Sequence, residues 1–368
     1  MMDQAITVSD NGTISYGSSM TYEPNMYLTA GSIVALTAFV VLLVLTVLGN
    51  GLTILAYTND INLRKIPFNF FILNLAISDL LVGVITIPAY IYYGILVPNN
   101  NYTSNAYIDV IVSMITPFPI FLSVFIVILM TFDRLRMVFD PIKYKMRSSN
   151  KRISKQMIVI WIVSSLYIFL VLILPYLITE PMNEELPIYV SSYSIIIFNF
   201  LLPLTCLLLM NVVFVLKLSR RMAALGQVRE RSNVEDINVE MTTRAHSERI
   251  SISQLTSDVQ NESAIRRRKW TNRNEEERLM KHQLRKVSLN IMVLVGVYLF
   301  CWIPANILNL LATIDMSIRI PRSAIMITFF MLLSNSAINP FIYAVTNKMF
   351  WKAIVKLFTK LNRQSQDL

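Results

Sequence analysis

The sequence predicts an all-α membrane protein, a seven-transmembrane helix bundle with a short amphipathic interfacial helix after helix seven. Seven apolar spans carry that expectation, at 30–57, 67–93, 106–132, 156–179, 188–216, 287–313 and 323–345. Each is long enough to cross a hydrocarbon core of about 30 Å, which takes about 20 helical residues. None alternates with period two, and in lipid only helices and closed barrels satisfy their own backbone. The basic residues supply the orientation. Of 33 Lys and Arg, none lies in the 1–29 tail or in the loops after spans two and four. Only Arg319 and Arg322 lie in the loop before span seven. The positive-inside rule therefore places the N-terminus outside and the C-terminus in the cytoplasm.

The composition excludes other classes. A chain of 368 residues that is 54% hydrophobic and 15% charged is not a soluble globule. Its net charge of +10 gathers at the inner ends of the spans, where anionic lipid headgroups are the natural partner. Nucleic acid is not expected, because no base-reading module accompanies the charge. The only histidines, His246 and His282, fall in cytoplasmic segments, and no nucleophile constellation exists, so an enzyme is not expected.

The elements follow in order. Residues 1–29 form an extracellular tail without a basic n-region, unlike a cleaved signal peptide. Residues 30–220 hold spans one to five. Asn11 and Asn101 begin glycosylation acceptor triplets on the outer side. The 58–66 loop is a tight turn, the Asn-rich 94–105 loop is irregular, and Pro141 breaks the helix in the basic 133–155 loop. Residues 221–283, mixed in charge and rich in Ser and Thr, read as a disordered intracellular loop. Spans six and seven lie within 284–346. In the cytoplasmic tail 347–368, Lys348, Lys352, Lys356 and Lys360 recur every four positions beside Phe350, Trp351 and Phe358. That spacing is an amphipathic helix lying in the membrane interface.

Several polar residues stand where lipid should exclude them. Asp79 sits mid-span, where a carboxylate costs several kcal/mol unless it is paired, hydrated or protonated. Asn50, Ser123, Asn335, Ser336 and Asn339 are its candidate partners, an oxygen-rich set suited to a small hard cation or bound water. Asp133-Arg134-Leu135 ends span three at the cytoplasmic edge. Cys301-Trp302-Ile303-Pro304 and Asn339-Pro340 place kinking prolines in spans six and seven.

In these spans and this order, the motifs resemble those of rhodopsin-like (class A) G-protein-coupled receptors over about 30–360. The residues that carry the likeness are Asn50, Leu75-Ala76, Asp79, Asp133-Arg134-Leu135 with Pro141, Trp161, Pro203, Cys301 to Pro304, and Asn339 to Tyr343. Asn-Leu-Ala-Ile-Ser-Asp-Leu and Cys-Trp-Ile-Pro are most similar to the biogenic-amine branch, especially histamine- and muscarinic-type receptors. The resemblance implies a plasma-membrane receptor that couples an extracellular small-molecule or peptide ligand to heterotrimeric G proteins. It implies that Arg134 contacts the G protein when active and Asp133 at rest. Asp79, Ser123, Asn335 and Asn339 would match a sodium pocket, and no other cofactor is implied. Trp302, with Pro304, would be the switch under the ligand, and Tyr343, beside Pro340, would swing inward.

The chain also departs from that pattern. Amine receptors carry an Asp eighteen residues before the Arg; here it is Thr116, which offers an ammonium no charge. Leu333 stands where retinal-binding members have a Lys, and Asp109 where most members have a cysteine. Tyr298 replaces the usual Phe, and Leu284 the acidic partner of the Arg in many members. Pro117 and Pro119 should distort span three. By alignment Tyr92, Thr116, Ile120, Asn199, Asn306, Asn309 and Phe329 face the outer cavity with Trp302, under a rim with Asp109, Glu180, Glu184, Glu185 and Asp315. Two rivals remain: a constitutively active or ligand-independent scaffold that dimerises, and a transporter or channel.

Both cysteines, Cys206 and Cys301, lie inside spans, so no extracellular disulfide is expected. The Cys206→Ser, Cys301→Ser double variant should reach the cell surface, and a membrane-impermeant reductant should leave wild-type signalling unchanged. Loss of signalling in reductant would overturn this.

Overall fold

The computed structural model describes residues 7–8, 14–15, 30–96, 111–112, 115–147, 149–174, 190, 193–217, 219–220, 223, 292–293, 295–314 and 318–366. The expectations for the rest of the N-terminal tail, the outer acidic rim, Asn11, Asn101, Leu284 and the 221–283 loop lie outside the described residues.

Seven helices are long and apolar enough to cross a membrane: Ala30–Asn59, Asn69–Leu96, Pro117–Phe139, Asn150–Val171, Tyr193–Lys217, Val295–Ile314 and Arg322–Thr346. Their outward faces are apolar, with Val34, Leu48, Leu209 and Phe300 exposed. That surface suits lipid, which needs no polar cover. Polar caps start the helices that follow turns. Asp60 accepts from the Asn62 amide at 2.7 Å, Asp140 from Lys143 at 3.0 Å, Ser149 from Arg152 at 3.4 Å, and Asn347 from Met349 at 3.1 Å.

Those caps refine the expected boundaries. The 58–66 turn contains a one-turn helix, Ile61–Arg64. Pro141 opens a helix, Pro141–Arg147, as well as ending the one before it, because a first-turn proline lacks only an N–H that would be unpaired anyway. Span four begins at Asn150, six residues earlier than expected. The two prolines of span three break it as anticipated: Thr116 is a turn, and the continuous helix begins at Pro117. Span two bends that break toward itself. The Ser78 hydroxyl donates to the Pro119 carbonyl at 2.8 Å, and that of Thr86 to the Thr116 carbonyl at 2.9 Å.

Spans two, four and five each contain π-helical stretches, including Val82–Thr86 and Ile91–Leu96 in span two. The extra residue in a π turn advances the phase of everything beyond it. Elsewhere proline opens the ladder. Pro203 and Pro340 have no N–H to offer the carbonyls four residues back, those of Asn199 and Ser336. Neighbouring spans fill both places: the Tyr298 hydroxyl donates to the Asn199 carbonyl at 3.2 Å, and Asn50 Nδ2 to the Ser336 carbonyl at 3.0 Å.

The largest core cluster joins Leu75, Leu122, Ile126, Phe214, Tyr298 and Trp302 to Tyr343 and Phe350. A second, around Phe39, Leu42, Val82, Ile87 and Leu333, packs spans one, two and seven. The helix Lys348–Gln366 is the expected amphipathic one. It buries Phe350 and Ala353 while Trp351, Val355 and Phe358 form an exposed apolar stripe at positions i, i+4 and i+7.

Span one approaches its neighbours through glycine. A Cβ on Gly83 would lie 2.9 Å from Val47 Cγ2 and 3.2 Å from Thr46 Cγ2. Overpacking of a filled core costs about 1–3 kcal/mol. Gly83→Val should therefore lower the thermal midpoint of the purified protein in detergent, whereas Gly51→Val, where a Cβ meets nothing within 4 Å, should not. Equal midpoints for the two variants would contradict this packing.

Candidate functional site

Asp79 is completely buried, and three donors from two other spans converge on it. Its Oδ1 accepts from Ser123 Oγ at 3.1 Å and Ser336 Oγ at 2.7 Å, and its Oδ2 from Asn339 Nδ2 at 2.7 Å. Asn335 is buried beside them but is not one of these donors. Asn335 lies one turn before Asn339, about 40° away around the helix. Asn50 joins from span one through the Ser336 carbonyl, and its own Oδ1 is buried without a partner. The cluster thus gathers a carboxylate, two hydroxyls and a free amide oxygen.

Beyond the cluster, toward one end of the bundle, lies a cavity of about 600 Å³. Thr116, Ile120, Asn199, Asn306, Asn309, Phe329 and Trp302 line it as expected. Tyr92 does not. It is half-exposed, and Tyr90 and Tyr93 line the wall instead. The π-helical stretches of span two rotate this segment away from the phase that an unbroken α-helix would give it. Tyr90 stacks on Phe329 at 4.9 Å between ring centroids. None of the described residues lining the cavity is charged, and Leu333 is among them.

The floor of the cavity is tied to span six. The Trp302 ring stacks on Tyr298 at 4.9 Å, and Asn306 Nδ2 donates to the Trp302 carbonyl at 2.9 Å, one helical turn back. Pro304 follows Trp302 within the same helix, where it removes one backbone donor. Trp302 Nε1 and Asn199 Oδ1 are buried without a hydrogen-bond partner. Tyr343 lies at the far end of span seven, beyond Pro340. Its hydroxyl is buried and also without a partner, and its ring lies 6.4 Å from that of Phe350.

At that far end Asp133 and Arg134 form no ion pair, contrary to expectation. Among the described residues the sole ion pair is Lys143–Asp140, at 3.2 Å. Consecutive residues on a helix do not face each other. Asp133 instead accepts from the Tyr144 hydroxyl at 2.6 Å. Arg134 sits with its guanidinium carbon 3.3 Å from the centre of the Phe68 ring. Neither Tyr144 nor Phe68 was singled out in the sequence, which carries no signal for either contact beyond an aromatic near a charge.

The chain matches the family described as 7 transmembrane receptor (rhodopsin family) over residues 49–343. It is similar to the histamine H4 receptor of Homo sapiens, 27% identical over 90% of this chain and 92% of the relative. To the histamine H4 receptor of Mus musculus it is 26% identical, over 87% and 91%. A probable G-protein coupled receptor, No18 of Amphibalanus amphitrite, is 23% identical over 91% and 92%. The family match begins in span one, ends in span seven, and takes in Asp79, Arg134, Trp302, Asn339 and Tyr343. With seven membrane-length helices among the described residues and the family match from span one to span seven, the chain belongs to the rhodopsin family of seven-transmembrane receptors and is a G-protein-coupled receptor.

Proposed function

We propose that this receptor answers an uncharged, largely apolar small molecule bound in the 600 Å³ cavity, and that Arg134 carries the signal to a heterotrimeric G protein. One observation carries the ligand class: no charged side chain is among the described residues lining the cavity, and Thr116 stands where amine-binding members place a carboxylate. The volume fits ligands of drug size, for which pockets run about 300–1,000 Å³. The wall combines Ile120, Ile195, Phe329 and Leu332 with the neutral polar groups of Thr116 and Asn309. Relatives named for histamine suggest an amine, but a desolvated ammonium needs a charge-assisted partner, about twice as strong as a neutral one. In the orientation given by the basic residues, the cavity opens outside and Arg134 faces the cytoplasm. The plasma membrane is the location such a receptor requires.

The test is a G-protein activation panel run with a library of neutral apolar compounds and the classical amines. Neutral compounds should activate, and Ala305→Trp, which fills the cavity, should abolish the response at unchanged surface expression. A nanomolar response to histamine, acetylcholine or a monoamine would overturn the ligand class. Arg134→Ala should lower stimulated activation about tenfold or more, the loss expected for a charged donor worth ~1.5–3 kcal/mol. Unchanged activation in that variant would remove Arg134 from the coupling path.

The Asp79 cluster has the chemistry for a sodium ion. Asp79, Ser123, Ser336 and the free Asn50 Oδ1 would hold it, a hard-oxygen set of the kind such cations prefer. The wild-type receptor should melt higher in sodium than in a bulky organic cation, and Asp79→Asn should erase the difference. Identical wild-type midpoints in the two salts would leave only the hydrogen-bond network.

A further inference from the structure

Arg134 is expected to rest on a carboxylate, but each of the obvious acids is engaged or missing. Asp133 is taken by the Tyr144 hydroxyl at 2.6 Å. The other polar contact of Arg134 is weak, from Nη1 to Met137 Sδ at 3.9 Å. What covers the guanidinium is the face of Phe68, 3.3 Å away. An arginine is well suited to that seat, because its planar, delocalised cation is weakly hydrated and stacks on rings.

Phe68 is not a loose side chain. It packs against the main core and lies 5.7 Å from Phe71, ring to ring. The backbone beside it is fixed on both sides. Asn69 Nδ2 donates to the Leu63 carbonyl at 2.9 Å, and Asn347 Nδ2 to Asn69 Oδ1 at 3.5 Å. The corner between spans one and two, the start of the amphipathic helix and the seat of Arg134 are therefore one assembly.

We propose that Phe68 is a positioning residue for G-protein coupling: its ring holds Arg134 in the resting state by a cation–π contact, while Tyr144 keeps Asp133 from competing. This rests on the reading of Arg134 as the coupling residue. Among the described residues the clasp ties span three to span two. Arg134 must leave the Phe68 ring before it can reach a partner.

The test measures ligand-independent G-protein activation per receptor at the cell surface. Phe68→Leu keeps the apolar bulk and removes the ring, and should raise basal activation about two- to thirty-fold, the range of a cation–π contact. Phe68→Tyr, which keeps the face, should return it toward the wild-type value. Should Phe68→Leu fail to reach the surface, stepwise fluorination of the Phe68 ring weakens its quadrupole while nearly preserving its shape. Basal activation should then climb with each fluorine. A flat fluorination series, or equal basal activation in the Leu and Tyr variants, would overturn the clasp. Full stimulated activation in Arg134→Ala would instead overturn the coupling reading beneath it, and the two failures are separable.

Discussion

A single carboxylate organises this bundle. Lipid offers Asp79 no water, and the protein supplies three donors to it from spans three and seven. Three hydrogen bonds to one buried group fix the relative height and rotation of the spans that contribute them. Span one is drawn in through Asn50, which answers the carbonyl exposed by Pro340. The same constraint governs the backbone: at Pro203 and Pro340, where proline removes a donor, a side chain from a neighbouring helix donates to the freed carbonyl. Polar residues here are adhesives between helices, since apolar faces gain little from leaving lipid for one another.

The cavity and the Arg134 end are the two extremities of this arrangement. Spans three and seven pass from one to the other, touching Asp79 on the way. At the cavity end the wall is neutral among the described residues, and rings stack there, Tyr90 on Phe329 and Trp302 on Tyr298. At the other end charges are held by aromatic groups as well: Asp133 by Tyr144, Arg134 by Phe68, and Lys217 of span five over Phe139 of span three at 5.1 Å. Besides the Lys143–Asp140 ion pair, Arg134 and Lys217 rest on rings. Rings suit a site at the edge of lipid, where desolvating a carboxylate is costly.

Much of this was legible in the chain itself. Seven spans, the break at Pro117, the amphipathic helix and the burden on Asp79 all follow from residue type and spacing. Six of the seven candidate wall residues line the cavity, Thr116 at the break in span three and Asn199 in a π-helical stretch among them. What failed did so where phase was disturbed or where a single step mattered. Tyr92 was displaced by π-helical turns, which no short pattern announces. Ser336 and Asn339, both named beforehand with Asn335, donate to the carboxylate. Asp133 and Arg134 adjoin in sequence, but their side chains leave the helix in different directions and form no direct ion pair. Phe68 and Tyr144 act through distant contacts that only the packing reveals.

The hydroxyl of Tyr298 adds one atom to a position where a Phe is usual, and that atom spans the gap between helices six and five to reach the Asn199 carbonyl. A neutral hydrogen bond of this kind contributes about 0.5–1.5 kcal/mol. Any motion that parts the two helices at this depth must first give it up. By population arithmetic, that alone lowers the fraction of separated molecules by about two- to twelve-fold. A phenolic oxygen beside the tryptophan thus adds a cost to parting the two helices, from a residue that is not itself among those lining the cavity.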